Sequence, residues 1–374
     1  MLYYLLGLLV FTLWMLYSVS DYRRRRLLYS KWRRLIRWEF WPMAAFYPPV
    51  VIYAILLGLR YRCLTLFTLA NPGMAHAGIA MMSKSDILNG FQKREQHVAV
   101  FTVISSELSL DERQAQLNHF MQSRQLDYPV VLKPDYGERG VGAGIIRTQE
   151  EAREYLLGSS EAIIAQEYVA GEEFGVFYMR RPSEDRGRVW SITAKCPTVV
   201  VGDGARCLER LILDDERAVC MAGFFLKKFA NRLEEIVPKG ELFLLAELGT
   251  HSRGALLLDA GEQWSEEMER AIDEMSRSYA GFFLGRYDIR VENVNTFKKG
   301  EGFKVLELNG VLSEPTHMYD PKHSLLYAWR TMFRLWSEIF KIGAENRDLG
   351  GKPSSFNELF ELVREFKSQE KYEV

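Results

Sequence analysis

Tyr128-Pro129-Val130-Val131-Leu132-Lys133-Pro134-Asp135-Tyr136-Gly137-Glu138-Arg139-Gly140-Val141-Gly142-Ala143-Gly144-Ile145-Ile146-Arg147 reads as a strand ending in a lysine, a glycine-rich loop and a returning strand. Thr148 then caps a predicted helix over residues 149–157. Glycines let backbone N–H groups come close to an oxyanion, and a lysine sets a point charge against phosphate. The loop opens into a strand and not into a helix. That excludes the G-x-x-x-x-G-K-[ST] phosphate loop and the dinucleotide fingerprint. The lysine precedes the glycines, which excludes the kinase arrangement. Taken alone, a plain tight turn explains such a hairpin equally well.

The downstream strands give the hairpin its context. Residues 162–169 form a strand that breaks at Ala170-Gly171 into Glu172-Glu173-Phe174-Gly175-Val176. Residues 285–290 (Gly-Arg-Tyr-Asp-Ile-Arg) and 304–310 (Lys-Val-Leu-Glu-Leu-Asn-Gly) read as two more strands with acidic or amide groups on apolar runs. Glu307 and Asn309 lie two apart and so face one side of their strand. With a further carboxylate they make an all-oxygen donor set of the kind that suits Mg²⁺ bridging phosphates. Upstream, residues 97–104 are a short β-branched strand, and Asp111–Arg124 is a helix with Leu117, Phe120 and Met121 at helical spacing. The tail from Ser354 to Lys371 reads as an amphipathic helix with Phe356, Leu359, Phe360, Leu362, Val363 and Phe366 on overlapping faces, a pattern of core packing rather than a cofactor feature.

With four elements in this order, residues 80–325 resemble the ATP-grasp superfamily, and within it the D-alanine–D-alanine ligase-like carboxylate–amine ligases. Residues 197–212 look like the corresponding part of cyanophycin synthetases. The resemblance implies an α/β (α+β) ATP-grasp fold, with two subdomains gripping ATP. Lys133 would hold the α/β-phosphates, and the loop with Gly137, Arg139, Gly140 and Gly142 would close over the β/γ-phosphates. Gln166 would touch adenine, Tyr168 and Val169 would form the hinge that reads its edge, and Glu173 would take the ribose hydroxyls. Asp288, Glu307 and Asn309 would hold two Mg²⁺ ions, with Mn²⁺ as an alternative. Arg286 would stabilise the transferring phosphoryl group, and Lys195 sits where the ligases carry a further phosphate-contacting lysine. The family's early nucleotide-binding lysine falls on Lys84 in Ser83-Lys84-Ser85; Lys93 fits the spacing less well. The implied partners are a small-molecule or lipid-linked carboxylate and an amine, joined through an acyl phosphate; nucleic acid is not among them.

The chain departs from the dipeptide ligases at both ends of this region. Only residues 63–125 precede the grasp, without the Rossmann-like pattern expected of a first-substrate domain. Residues 249–255 and 313–321 also differ, so D-alanine is not implied as substrate. His251 is weighed as an acid/base, Arg253 as a carboxylate clamp and His317 as a group near the metal strand, each against an ordinary structural role.

Composition bounds the rest. At 374 residues with 48% apolar and 26% charged side chains, the chain has room for two or three packed units and is neither disordered nor collagen-like. Four cysteines with no C-x-x-C pair make neither a disulfide framework nor a thiolate metal site. The net charge of −1 divides into +8 over residues 1–62 and −9 over the remainder. Met1 to Ser20 has no charged residue and is long enough for a membrane span. Arg23, Arg24, Arg25 and Arg26 follow it, and at roughly 2.5 kcal/mol or more per arginine at the membrane centre they stay on the cytoplasmic side. The expectation is an uncleaved anchor on a bacterial-type inner membrane, with the catalytic body cytoplasmic.

A second uncharged run, residues 40–59, holds Pro42 and Pro48-Pro49, between basic flanks. It is read as a re-entrant or surface-lying segment, because a Pro-Pro step breaks a helix, with a second span as the rival. Trp32, Trp38 and Trp41 are placed at headgroup level. The expected boundaries are 1–20 anchor, 21–62 basic and second hydrophobic segment, 63–125 pre-grasp, 126–175 small subdomain, 176–345 large subdomain and 346–374 C-terminal helix. The rival functions are an idle ATP-binding module that signals to a membrane partner, and an ATP-grasp phosphotransferase. The oligomeric state is left open.

Overall fold

The computed structural model describes residues 4, 21–79, 82–91, 97–137, 141–246 and 254–370. The chain divides into two compact units: 49–195 with 257–374, and 1–48 with 196–256. The second unit takes residues 196–256 out of the stretch 176–345 that was expected as one large subdomain.

In the larger unit, α1 (Pro48–Arg60) and α2 (Lys84–Asn89) precede β1 (Phe101–Ile104), α3 (Leu110–Arg124), β2 (Val130–Pro134), β3 (Gly144–Ile146), α4 (Gln149–Leu157) and β4 (Ile163–Glu167). The strands form an antiparallel sheet in the order β1-β4-β2-β3. Leu117, Phe120, Leu132, Ile146 and Leu156 make one buried cluster between this sheet and its helices. The helix starts obey local capping chemistry. Ser109 and Glu112 form a reciprocal capping box on α3, and Thr148 caps α4 as the sequence predicts. Because β1 lies in this sheet, the small lobe begins near residue 98 and not at 126.

A second, five-stranded sheet is built from β5 (Glu172–Met179), β6 (Arg188–Cys196), β7 (Leu256–Asp259), β8 (Leu284–Val291) and β9 (Phe303–Asn309), ordered β9-β8-β5-β6-β7, with β9, β8, β5 and β6 paired antiparallel. Helix α5 (Glu266–Arg277) buries Met268, Ile272 and Met275 in the core of this sheet with Phe174, Tyr178, Tyr287 and Val305. The 24-residue α6 (Leu325–Asp348) and then α7 (Phe356–Glu370) complete the unit. The core packing expected of α7 is met only in part. Leu362 is buried, but Phe356, Phe360 and Val363 are exposed, because residues 356–363 present more apolar side chains than one buried stripe holds.

Where a first-substrate domain was missing from the sequence pattern, residues 65–79 dock on the large sheet. The buried Asn71 accepts the N–H groups of Phe283 and Leu284 and donates to the carbonyls of Leu284 and Ala77. Ala77 in turn accepts the N–H of Val311 at 3.0 Å. His76, Ala77 and Gly78 are consecutive left-handed residues, with φ of 47°, 60° and 77°. For the two that are not glycine this costs about 1–2 kcal/mol each, which the Asn71 contacts and the packing offset. Gly310 accommodates the loop because a Cβ there would stand 2.5 Å from the Ala77 carbonyl oxygen.

The run 40–59 contains a 3₁₀ turn (Trp38–Phe40), a one-turn helix (Met43–Phe46) and α1, which starts at Pro48. The Pro-Pro step thus opens a helix, where its missing N–H groups have no intrahelical partners to lose. Among the described residues no helix is long and apolar enough to cross a membrane. The expected anchor, Met1–Ser20, lies outside the described residues apart from Tyr4.

In the smaller unit the helix Tyr22–Ile36, capped by Asp21, carries the arginine block. Arg23 pairs with Glu209 at 3.0 Å, Arg26 donates to the Leu213 carbonyl, and Arg33 pairs with Glu216 at 2.5 Å. Arg33, one of the basic flanking residues expected on lipid headgroups, is therefore paired with a carboxylate of the protein instead. Trp38 is buried and stacked on Phe46, and Trp41 donates its indole N–H to the Leu35 carbonyl. Only Trp32 of the three is exposed.

Candidate active site

Lys133 ends β2 and reaches from the small sheet to the large one. Its buried ammonium donates to Gln166 Oε1 at 2.9 Å and to the Leu306 carbonyl of β9 at 3.1 Å. Burial and the nearby Lys84 lower its pKa, against the pull of Glu307 and Asp288. Incoming phosphate would relieve that penalty. Ser83-Lys84-Ser85 is fixed by the buried Asp135, whose carboxylate accepts both serine hydroxyls and the Ser85 N–H. Lys84 Nζ is thereby held on the carbonyls of Pro134 and Gly137, at 3.0 and 2.7 Å. Gly137 and Gly142 have φ of 122° and 73°, and a Cβ on Gly142 would meet Pro134 Cγ at 2.7 Å. Glycine at 142 is thus a steric requirement as well as an anion-binding opportunity. Arg139 and Gly140 lie outside the described residues, as do His251 and Arg253.

The hinge comes directly after β4. Gln166 is buried against Lys133, and Glu167 is fixed to the Val100 N–H at 2.9 Å. Arg290, which the sequence reading did not single out, donates to the Val169 carbonyl at 3.0 Å and to Tyr168 Oη at 3.4 Å. It also stands 3.5 Å from Glu173. The strand sequence shows the arginine but not its partners, which come from the hinge and from β5.

Register brings the remaining groups together. Asp288 on β8 faces Glu307 on β9, Arg286 faces Asn309, and Gly175 on β5 lies between Asp288 and Thr193. Gly175 has no Cβ, and one built there would touch Arg286 Cδ, Thr316 Oγ1 and Lys195 Cε at 3.3–3.6 Å. The two cations lie over that gap. Arg286 pairs with Asp288 at 2.9 Å, and Lys195 bridges Asp288 and Glu173 at 3.0 Å each. Asn309 Nδ2 donates to Asp288 at 3.3 Å. Burial alone would raise the Asp288 pKa, but Arg286 and Lys195 outweigh it and hold the carboxyl at about 2. Burial would likewise lower the Lys195 pKa, yet Asp288 and Glu173 keep it above the ordinary value. Glu307 is half-buried, and its carboxylate has no hydrogen-bond or ion-pair partner among the described residues. An unpartnered carboxylate beside a second carboxylate and an amide is a donor set that fits a divalent cation. In this state Asp288 is neutralised by protein cations, and no ready-made cluster of three His, Cys, Asp or Glu ligands occurs among the described residues.

The loop after β9 carries two groups with opposed titrations. Burial pushes Glu314, which accepts from Tyr319 Oη at 2.9 Å, up to about 7. Burial pushes His317 down to about 4, its Nε2 sharing a hydrogen bond with Tyr327 Oη at 3.1 Å. A carboxyl raised in the folded state stabilises fully below its ordinary pKa near 4.5, and that contribution is lost as pH rises through about 7. A histidine depressed in the folded state stabilises above its ordinary 6.5, and that is lost as pH falls through about 4. The two slopes oppose each other across one window. Relative to the parent, Glu314→Gln is expected to gain about 1–3 kcal/mol between pH 4.5 and 8. His317→Gln is expected to gain a similar amount, about 1–3 kcal/mol, between pH 7 and 4. Melting curves against pH test both, and parallel profiles for parent and variants would remove the assignment. His317 lies beside the His323–Asp259 pair and against Tyr327, and so serves the packing of this loop.

Two sheets with cations and carboxylates converging between them give the larger unit a mixed α/β architecture. Residues 93–176 match the model of the RimK-like ATP-grasp domain. Among solved structures it is similar to D-alanine–D-alanine ligase from Bacillus anthracis, at 14% identity over 74% of this chain and 72% of that one, TM-score 0.44. It is also similar to a bifunctional glutathione synthetase from Pasteurella multocida, at 16% identity and TM-score 0.36 over 69% of this chain. The matched part is 35% of that synthetase, so the chain spans about a third of its length. Comparison with curated proteins returns no match.

Proposed function

We propose that this chain is an ADP-forming carboxylate–amine ligase acting through an acyl phosphate. The observation that carries the reading is the meeting of Lys133, Lys195 and Arg286 with Asp288, Glu307 and Asn309 at the facing strands β8 and β9. Lys133 and Lys195 bind and orient the nucleotide phosphates. Glu173, released from Lys195 and Arg290, accepts the ribose hydroxyls, and the hinge at Tyr168 and Val169 meets the adenine edge. Asp288, Glu307 and Asn309 would hold Mg²⁺, which when bound neutralises phosphate charge and polarises the γ-phosphoryl group.

In the first step a substrate carboxylate oxygen bonds to the γ-phosphorus, and the bond to the β-phosphate oxygen breaks, releasing ADP. In the second an amine lone pair attacks the acyl carbon, phosphate leaves with its bonding electrons, and the amine proton passes to a base. Arg286 stabilises the charge developing in both steps. The loop 137–144 shields the acyl phosphate from water. The uncharged Met1–Ser20 run and the arginine block after it support a membrane-tethered enzyme on the cytoplasmic side of a bacterial-type inner membrane, with an envelope or lipid-linked precursor as one substrate.

The test is ATP turnover by the full chain in detergent, with Mg²⁺, pooled amino acids, a membrane-lipid extract and hydroxylamine. A hydroxamate is expected, and its mass names the acid. ADP without hydroxamate would replace the ligase with a phosphotransferase. Nucleotide binding without any ADP would favour an idle module, for which the Lys195-bridged, self-neutralised site gives a structural basis.

A further inference from the structure

The sequence places no charged residue between Phe40 and Leu59, and the structure shows what the helical part of that run presents. Helix α1 uses one side to pack on the larger unit. Val50 and Leu57 are buried, Leu57 clusters with Leu66, Leu69 and Phe340, and Tyr53 bonds to Ser337 and packs on Phe333 at 4.8 Å. Its other side carries Val51, Ile52, Ile55, Leu56 and Leu59, each between 48% and 62% exposed. Residues 51, 55 and 59, with 52 and 56 beside them, follow the i, i+4 rows of a helix and make one continuous apolar stripe. Isolated exposed apolar residues are ordinary, but a contiguous row is a mark of a contact surface.

The surroundings say what contacts it. Arg60 and Arg62 stand at the end of the stripe, with Leu64 next to them, and residues 48–64 contain no acidic side chain. Thirteen residues extend about 20 Å, short of the roughly 30 Å hydrocarbon core. The helix is too short to cross, and its inner side is already occupied by protein. Residues 63–374 carry a net −9, so an anionic surface repels that part of the chain except where exposed cations face it. An apolar stripe ending in arginines matches the boundary between acyl chains and anionic headgroups.

We propose that the outer face of α1 is a membrane-contact surface, lying in the plane of an anionic-lipid bilayer with Val51, Ile52, Ile55, Leu56 and Leu59 below the headgroups. This surface belongs to the catalytic unit itself, is separate from the uncharged run 1–20, and does not depend on the ligase reading. It would fix the orientation of the larger unit on the bilayer, which a flexible tether alone cannot do.

The experiment reads depth, because residues 1–20 could themselves retain the full chain on vesicles. Single cysteines at Ile52, Ile55 or Leu59 in a full chain with its four native cysteines changed to serine carry an environment-sensitive fluorophore; Leu349, 76% exposed, is the reference position. With phosphatidylcholine–phosphatidylglycerol vesicles the three α1 labels are expected to shift to the blue and to be quenched by shallow doxyl lipids. The label at 349 stays aqueous. Arg60→Glu with Arg62→Glu is expected to reduce the quenched fraction roughly tenfold at limiting lipid.

Labels that stay in water on bound vesicles would overturn the proposal. So would labels already blue without lipid, which would mean that residues 1–20 or a second copy cover the face. Quenching from the bilayer midplane would replace an in-plane helix with an inserted one, and equal depth on neutral vesicles would overturn the anionic preference. If the cysteine-free chain fails to fold, slowed hydrogen exchange across 48–64 of the unaltered chain on adding the same vesicles is the expected result. Unchanged exchange there would count against the contact.

Discussion

Glu307→Gln is expected to reduce ADP release by about 10²-fold or more while leaving the fold intact. The two effects separate because of where Glu307 sits. It faces Asp288 across the β8–β9 pair, is half-buried, and its carboxylate has no partner among the described residues. Glutamine keeps the shape and removes only the charge, so no protein hydrogen bond is lost and the melting temperature should hold. What is lost is one of two carboxylates able to share a divalent cation with nucleotide phosphates. Turnover measured with saturating ATP and Mg²⁺, beside a melting curve, checks the prediction. Unchanged turnover would remove Glu307 and Asp288 from the proposed cation site together.

Lys195→Met should do the reverse to stability. Lys195 is the cation that Asp288 and Glu173 share, with all three side chains nearly sealed from water. Removing it leaves two carboxylates in one pocket, with Arg286 and Arg290 each left to hold one. The cost of leaving a buried charge uncompensated is about 3–5 kcal/mol. Urea unfolding at neutral pH measures it. Adding Asp288→Asn to Lys195→Met should recover part of the loss, because the two positions are in contact and their effects cannot be additive. A Lys195→Met chain as stable as the parent would mean that water or a mobile neighbour already screens the pair. On the proposed reading the same cycle reports on nucleotide binding, since Glu173 is held by the lysine in the present arrangement and would have to leave it to accept a ribose.

The elements around the site were legible in the sequence because each is fixed locally. Residues 128–147 give strand, loop and strand, Thr148 caps its helix, and Glu307 and Asn309 share a face by strand periodicity alone. The pairing of Asp288 with Glu307 was implied only by resemblance, since register between two separate strands is not written in either one. Arg290 was missed for a related reason. Its partners, Val169 and Glu173, come from a different strand and from the turn before it, and nothing in residues 284–291 points to them. The membrane reading of Trp38 and of Arg33 failed differently. Both residues suit a bilayer surface by chemistry, but acidic and aromatic side chains supplied from elsewhere in the smaller unit satisfy them first. The tail helix shows the limit of periodicity, which reports apolar faces and does not say how many of them will find a neighbour.

Asn71 sets a practical limit on how this protein can be cut down. A shortened chain starting at the first residue of the matched family region, 93, would lack the side chain that satisfies the N–H groups of Phe283 and Leu284 and the Leu284 carbonyl. Three main-chain groups at the head of the strand bearing Arg286 and Asp288 would then face a void. The shortest version in which the strand bearing Arg286 and Asp288 stays ordered is therefore expected to begin before residue 71. A fragment chosen by family boundaries alone would be judged inactive for a reason unrelated to its chemistry.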